Sequence, residues 1–544
     1  MRLALLSNVT VDLLADMLKK TNEVYLPAGF DTWQQELIAP ASGLYEYKPE
    51  AVVVLLHAGA CEWSTMEAGC QLIDEWCTAF QTLIFHLPGV HLFVSSVDIS
   101  VKAHYGAEKR IEQALESYLI DKIEKLHQQG ANIYVLPVKD LIAGLGRNNF
   151  YSSKMWYIGS MPYSMKGMAA IHDLIARYVS VTKGMRRKCL AVDLDNTLWG
   201  GVIGEDGVDG IVLSAHKEGA RYYDTQKILK KMKNQGVMLA ILSKNNAEDV
   251  EPVFTHPNMV LQHDDFVAEV INWEPKSVNI RRLAADLNIG LDSFVFLDDN
   301  PAEREQMKAE CPEVAVIEFP KDSSQLPDVV AKAYDDYFLS LEVTDEDTAK
   351  TAMYLAEGQR KAEMAAAASA EEFLKNLGMT MNIHRMLAEE EKRVVQLVNK
   401  TNQFNVTTKR YSEKEIHELA GSGDIFTVHI SDKYGDQGLV AVLILKYEGE
   451  AAELDTFLMS CRVMGRSVEN EIMSRMKGML EARSVKTMKA AYVKTAKNVP
   501  VENLFEKLGF SLVSRTDGCK KYEAKIDDLP MSTGIFKCVA EDWA

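Results

Sequence analysis

Short apolar runs alternate with longer amphipathic stretches from the first residue to about residue 325 of this 544-residue chain. "RLALLSN", "AVVVLLHAG", "TLIFHLP" and "NIYVLPV" read as buried strands. "GAEKRIEQALESYLIDKIEKLHQQG" reads as an amphipathic helix ending at Gly130. Such alternation demands parallel, doubly wound sheets with helices on both faces. After the basic stretch "KGMRRK" (183–188) the pattern resumes with strands "CLAVDLD", "VMLAILS" and "SFVFLDD". Residues 327–376 are helix-rich and include "GQRKAEMAAAASAEEFLKNLG", too apolar for a flexible linker, so this connector is expected to pack on a neighbour. From residue 377 the pattern changes to successive strands with turns at Gly435, Gly438 and Gly449, then the helix "SVENEIMSRMKGMLEARS". The expected fold class is multidomain α/β. Its parts are an α/β domain at 1–182, a second at 183–326, a helical connector at 327–376 and an α+β domain at 377–544.

The formal net charge of −18 argues against bulk binding to nucleic acid or an anionic membrane. No apolar run approaches the roughly 18 residues of a membrane span. "MRLALLSNVTVDLL" lacks a small-residue cleavage site and reads as a strand entering a helix, not a signal peptide. The eight cysteines, at 61, 70, 77, 189, 311, 461, 519 and 538, form no CxxC pair. Reduced thiols in a cytoplasmic protein are the expectation.

Four pieces of the middle domain carry chemistry. Asp193-Leu-Asp195-Asn-Thr197 follows one strand, Ser243 ends the next, Lys276 lies in "NWEPKS", and Asp298-Asp299 follow "SFVFL". In an open parallel sheet the carboxyl ends of strands meet in one crevice. Asp193 is the candidate nucleophile toward phosphorus. Asp195 is the candidate acid and base. Mg²⁺ is expected on Asp193, Asp195, Asp298 and Asp299, because magnesium prefers oxygen ligands. Ser243 and Lys276 would hold phosphoryl oxygens, with Lys276 also offsetting the carboxylates. One Asp-x-Asp after a strand is more often a solvated turn. Four such pieces in this order are not.

This order resembles the haloacid dehalogenase superfamily of phosphatases and phosphotransferases. The segment after the first motif, "LWGGVIGEDGVDGIVLS", has room only for a β-hairpin flap, and Ser243 to Lys276 has no room for a cap domain. An open site follows. "DLDNTLWGGVIGEDG", "SKNN", "INWEPKSVNIR", "FVFLDDNPAERE", "NKTNQFNVTTKRY", "DKYGDQGLV" and "MSCRVMGRSVE" together resemble the FkbH-like branch, over roughly residues 185–515. That resemblance implies an enzyme of polyketide-type assembly lines. It would take 1,3-bisphosphoglycerate, remove its phosphates and load a glyceryl unit on the phosphopantetheine of an acyl carrier protein.

In the C-terminal part, "MSCRVMGRSVENEIM" places a strand end and small residues before a helix start, an arrangement that can cradle anions. The element order there resembles the GNAT acyltransferase fold. Arg466 stands where such loops often have glycine or alanine, which favours a carrier-borne phosphopantetheine over free coenzyme A. Cys461 reads either as a small buried residue or as an acyl-accepting thiolate, activated by Arg462, Arg466 and the helix N-terminus beyond Gly465. His429 reads as a packed strand histidine or as a base. Thr197, Asn402, Gln403 and Asn405 are candidate substrate or carrier contacts. Arg410, Lys494 and Lys497 are candidate contacts for an acidic carrier or plain solvated charges.

Residues 1–182 resemble the SGNH-hydrolase fold, with Ser7 in the nucleophile's place. His57 stands where asparagine is usual, and Ser160 and Tyr163 where the acid and base belong. Without that pair Ser7 is not activated, and a docking or scaffold role is expected. The competing reading for the whole chain is a magnesium phosphatase of another small ester with an accessory acetyltransferase-like domain.

Overall fold

The computed structural model describes residues 1–61, 65–98, 107–343, 345–367, 369–516 and 518–542. Its contacts divide into two units, Met1–Arg186 with Leu339–Glu342, and Arg187–Phe338 with Val343–Ala544. The architecture is multidomain α/β, built on three sheets.

The first unit holds β1 (Arg2–Ser7), β2 (Glu23–Tyr25), β3 (Ala51–Leu55), β4 (His91–Ser95) and β5 (Ile133–Leu136), all parallel in the order β2-β1-β3-β4-β5. Alternate residues of these strands feed two apolar clusters, one on each face. Burial on both faces explains why the runs are continuous rather than alternating. The run "TLIFHLP" is not a strand. It ends the helix Met66–His86, in which Ile73, Trp76, Phe80 and Leu83 recur at helical spacing and are buried. The strand lies just beyond, at His91–Ser95.

In the second unit β6 (Cys189–Val192), β7 (Met238–Ser243), β8 (Phe266–Ile271), β9 (Phe294–Leu297) and β10 (Ala315–Val316) form a parallel sheet ordered β10-β9-β6-β7-β8. Leu190 and Val192 face one apolar cluster, Cys189 and Ala191 the other. Strand β6 is central, with β9 on one side and β7 on the other. The crevice therefore opens at the carboxyl end of β6.

The third sheet is mixed. It contains β11 (Thr380–Arg385), β12 (Asp424–Asp432), β13 (Gly435–Glu448), β14 (Ala451–Met459), β15 (Thr487–Val493), β16 (Ser511–Thr516), β17 (Cys519–Lys525) and β18 (Lys537–Asp542) in the order β16-β17-β15-β14-β13-β12-β11-β18. Strands β14 and β15 pair parallel, as do β11 and β18; the other pairs are antiparallel. Gly438 lies inside β13 rather than at a turn, at φ +66°, where the register with β12 shifts.

The helix Asp345–Ala366 joins the second and third sheets. Tyr354 packs on the second sheet's core, and the Arg360 guanidinium clasps Asp432 with bonds of 2.7 and 2.8 Å. The connector is thus packed at Tyr354 and Arg360, while Gln359, Lys361 and Met364 are exposed.

Candidate active site at the second sheet

Asp193 follows β6 directly, and its backbone N–H bonds Leu297 O at 2.9 Å, locking β6 to β9 at the crevice. Asn196 then turns the chain at φ +52°, a left-handed conformation asparagine tolerates, and its Oδ1 accepts from Gly201 N at 3.0 Å. Ser243 ends β7, Lys276 begins the helix Lys276–Leu287, and Asp298 follows β9. Four chain segments separated by dozens of residues thereby converge.

Lys276 Nζ lies 2.8 Å from Asp193 Oδ1 and 2.6 Å from Asp298 Oδ2. Asp193, Asp298 and Asp299 present carboxylate oxygens within 4.8 Å of one another. One lysine against three acids leaves the cluster anionic. Burial, with Asp193 beside it, raises the Asp298 carboxyl despite Lys276. Burial, then Asp193 and Asp298, push the Asp299 carboxyl up to about 6. Burial alone would lower the Lys276 amine, but the two carboxylates outweigh it and raise it. An anionic, all-oxygen donor set of this kind suits a hard divalent cation.

Asp195 stands apart from this group. Its Oδ1 accepts from Trp199 Nε1 and Ile203 N, each at 3.0 Å, and its Oδ2 from Asn245 Nδ2 at 3.0 Å. The structure therefore brings together three of the four expected cation ligands, and holds the fourth carboxylate with donors of its own. Asn245 also donates to Ser243 Oγ at 3.3 Å, tying the second motif to the first. Asn245 and Trp199 were missing from the candidates read from sequence. The signal for Asn245 was its place two residues beyond Ser243. Thr197 is fully buried, and its Oγ1 has no hydrogen-bond partner.

The segment expected as a β-hairpin flap contains two short helical turns within Ile203–Gly210, broken at Gly207 (φ +64°), and an antiparallel bridge between Gly200 and Val212 closes its base. Asp206 Oδ2 accepts from Val202 N at 2.8 Å and so ties the first turn back to the chain that enters it. Gly201, at φ +97°, is required there: a Cβ would stand 2.5 Å from Asp206 Oδ2.

In the C-terminal part, Asn405 bridges Leu458 and Phe404 O accepts from Met459 N at 3.0 Å, which sets the loop of Asn402, Gln403 and Asn405 beside the end of β14, just before Cys461. The side chain of Cys461 lies outside the described residues; its backbone begins a short turn, Cys461–Val463. Arg466 points inward, bonding Glu357, Arg462 O at 2.7 Å and Gln437 Oε1 at 3.3 Å. Glu357 on the bridging helix and Asp432 at the end of β12, the latter 3.7 Å away, are its carboxylate partners. Arg462 bonds Ser460 Oγ at 3.2 Å. Gly465, at φ +78°, turns the chain toward the helix Val468–Ala482. Asn405 is buried and braces its own loop, accepting from Thr408 N at 2.8 Å. Asn402 Oδ1 accepts from Arg410, while Gln403, Lys494 and Lys497 are exposed. His429 bonds Glu390 at 2.6 Å. In the first unit Ser7 Oγ donates to Leu55 O at 2.6 Å, and burial pushes the His57 imidazole down to about 4.

No family model matches the chain, and no curated protein matches it. Among solved structures, it is similar to the N-terminal part of the protein BF1531 from Bacteroides fragilis, described as containing a phosphatase domain and complexed with Mg. That likeness has 26% identity and a TM-score of 0.57, and spans 63% of this chain and 94% of that one. The ribosomal-protein-S18-alanine N-acetyltransferase from Escherichia coli is also similar, at 17% identity over 27% of this chain and 94% of that one, with a TM-score of 0.22. No helix among the described residues is long and apolar enough to cross a membrane.

Proposed function

We propose that the chain is an enzyme that couples magnesium-dependent phosphoryl chemistry to acyl transfer. The observation that carries this reading is the buried Asp193–Lys276–Asp298 arrangement at the carboxyl end of β6, with Asp299 beside it. The Mg-complexed phosphatase domain of the similar Bacteroides fragilis protein supports the choice of cation.

Asp193, Asp298 and Asp299 would hold Mg²⁺, which supplies charge neutralisation where phosphoryl and carboxylate oxygens approach. An Asp193 carboxylate oxygen attacks phosphorus, and the bond to the leaving oxygen breaks. Asp195, its orientation fixed by Trp199, Ile203 and Asn245, gives that oxygen its proton. Water then attacks the aspartyl phosphate, Asp195 takes the water's proton, and Asp193 is released. Lys276 and Ser243 bind phosphoryl oxygens.

The finer reading rests on the FkbH-like resemblance. The acyl phosphate of 1,3-bisphosphoglycerate is attacked at its carbonyl carbon by the Cys461 thiolate, and inorganic phosphate leaves. The remaining phosphate ester is hydrolysed at Asp193. The glyceryl thioester passes to the phosphopantetheine thiol of an acyl carrier protein. A site without a cap domain suits a substrate carried on a second protein.

Intact-mass measurement of the chain with 1,3-bisphosphoglycerate tests both levels. Covalent acylation is expected to persist in Asp193→Asn and vanish in Cys461→Ala. Full acylation of Cys461→Ala would remove the cysteine from the scheme. Undiminished Mg²⁺-dependent phosphate release by Asp193→Asn would remove the phosphatase reading.

A further inference from the structure

Three side chains on the third sheet converge without any part in the chemistry above. His384 lies on β11, His429 on β12, and Glu390 in the short turn Ala388–Glu390 that follows β11. One ligand atom from each lies within 4.8 Å of the other two. His429 Nε2 is 2.6 Å from Glu390 Oε1, and His384 Nε2 is 3.7 Å from the same oxygen. The two imidazoles are stacked, with centroids 5.3 Å apart.

His384 and Glu390 are held by bonds that leave their ligand atoms facing the others. His384 Nδ1 bonds Arg385 O at 2.9 Å. A carbonyl only accepts, so Nδ1 carries the proton and Nε2 of the neutral ring keeps its lone pair. Glu390 Oε2 accepts from Leu387 N at 3.0 Å and Thr427 Oγ1 at 2.9 Å, which leaves Oε1 turned to both rings. His429 sits between two register shifts of the β12–β13 pair, the kind of irregularity that re-aims a side chain. Directly across from it on β11 is Asn382, whose buried Oδ1 has no hydrogen-bond partner.

We propose that His384, Glu390 and His429 form a second metal site, for a zinc-class divalent ion. Two imidazole nitrogens and one carboxylate oxygen, with their outer bonds in place, are the donor set such ions take, and nitrogen donors discriminate against magnesium. Bonds of about 2.0 Å in tetrahedral geometry set ligand atoms about 3.3 Å apart. His429 and Glu390 need to separate by less than 1 Å to reach that spacing, which is within rotamer adjustment. On binding, the His429 Nε2–H bond to Glu390 breaks and the proton passes through solvent to Nδ1. The ring then coordinates through the Nε2 lone pair. Three protein ligands leave a fourth position for water, and Asn382 Oδ1 stands on the same face to accept from it.

The test is cobalt substitution in the chelator-stripped full-length chain. A four-coordinate site with imidazole ligands gives intense visible Co²⁺ absorption, whereas six oxygen ligands at the Asp193 cluster give only weak absorption. One equivalent of intense absorption is expected, bleached by one equivalent of Zn²⁺, kept in Asp193→Asn and lost in His384→Gln and His429→Gln. Absence of the intense band in the unaltered chain overturns the proposal, whatever the variants do. So does its persistence in both histidine variants, or its loss in Asp193→Asn.

Discussion

Lys276 Nζ lies 2.6 Å from Asp298 Oδ2, and both side chains are almost wholly withdrawn from solvent. Removing one partner of a buried ion pair leaves the other uncompensated, at a cost of about 3–5 kcal/mol. Here the loss strands Asp193 as well. Lys276→Met is therefore expected to lower the unfolding free energy by about that amount in metal-free buffer, read by urea titration. It should also reduce phosphate release by about 10²-fold or more. A stability within about 1 kcal/mol of the unaltered chain would show that the lysine is not the counter-charge of this cluster.

The Asp299 carboxyl gives the cluster a pH signature. Its folded value is about 6, above the ordinary 3.8, because burial and two neighbouring acids resist its charge. For an acid the raised value means the fold holds the proton more tightly than the unfolded chain does. Metal-free stability therefore falls as pH rises from about 4 through about 6. Magnesium relieves that repulsion, and must displace the proton below pH 6. Thermal melts are expected to show a rise in Tm with Mg²⁺ at pH 7.5 that shrinks markedly at pH 5. An equal rise at both values would mean that Asp299 is not at the cation.

Asn245 binds two motifs at once, donating to Asp195 Oδ2 at 3.0 Å and to Ser243 Oγ at 3.3 Å. Without it Asp195 keeps only the donors on Oδ1 and gains freedom to turn. Small misplacements of a catalytic group cost about 10²-fold, while one lost hydrogen bond costs about 1 kcal/mol in stability. Asn245→Ala is expected to show a kcat loss of that order with KM little changed and a fold that melts normally. Steady-state kinetics with a small phosphate ester would decide it, and a change confined to KM would place Asn245 in substrate binding instead.

Much of this site is legible because β6, β7 and β9 are continuous apolar runs, and Asp193, Ser243 and Asp298 stand where each run ends. Strand ends of a parallel sheet must meet, so spacing along the chain becomes proximity. Where that logic is missing, the pattern misleads. "TLIFHLP" is as apolar as a strand, and only the buried Ile73, Trp76 and Phe80 upstream reveal the end of a long helix. The segment after Trp199 has the length of a hairpin flap, yet the Asp206 carboxylate bonds Val202 N and a helical turn forms. Arg466 reads as a charge beside Cys461, and its pairing with Glu357, 109 residues earlier, has no signal in the sequence. Glu390 is invisible in the sequence, since its role depends on strand register that only the folded sheet defines.

Asp455 closes a smaller charge cluster on β14, and its chemistry is separable from both sites. The carboxylate is 1% exposed and accepts from Lys409 at 2.7 Å, Lys446 at 2.6 Å and Tyr411 at 2.6 Å. Burial would raise its carboxyl, but these donors outweigh burial and hold it at about 2, below the ordinary 3.8. A depressed acid contributes stability that is fully present above its unfolded value and is lost as pH falls through the folded one. The difference between those two values corresponds to about 2 kcal/mol. Asp455→Asn is expected to lower unfolding free energy by about that amount at pH 7, with the gap to the unaltered chain closing between about pH 4 and pH 2. Urea titrations at pH 7 and at pH 3 measure it. A gap that stays constant over that range would assign the loss to packing and neutral hydrogen bonds rather than to the charge.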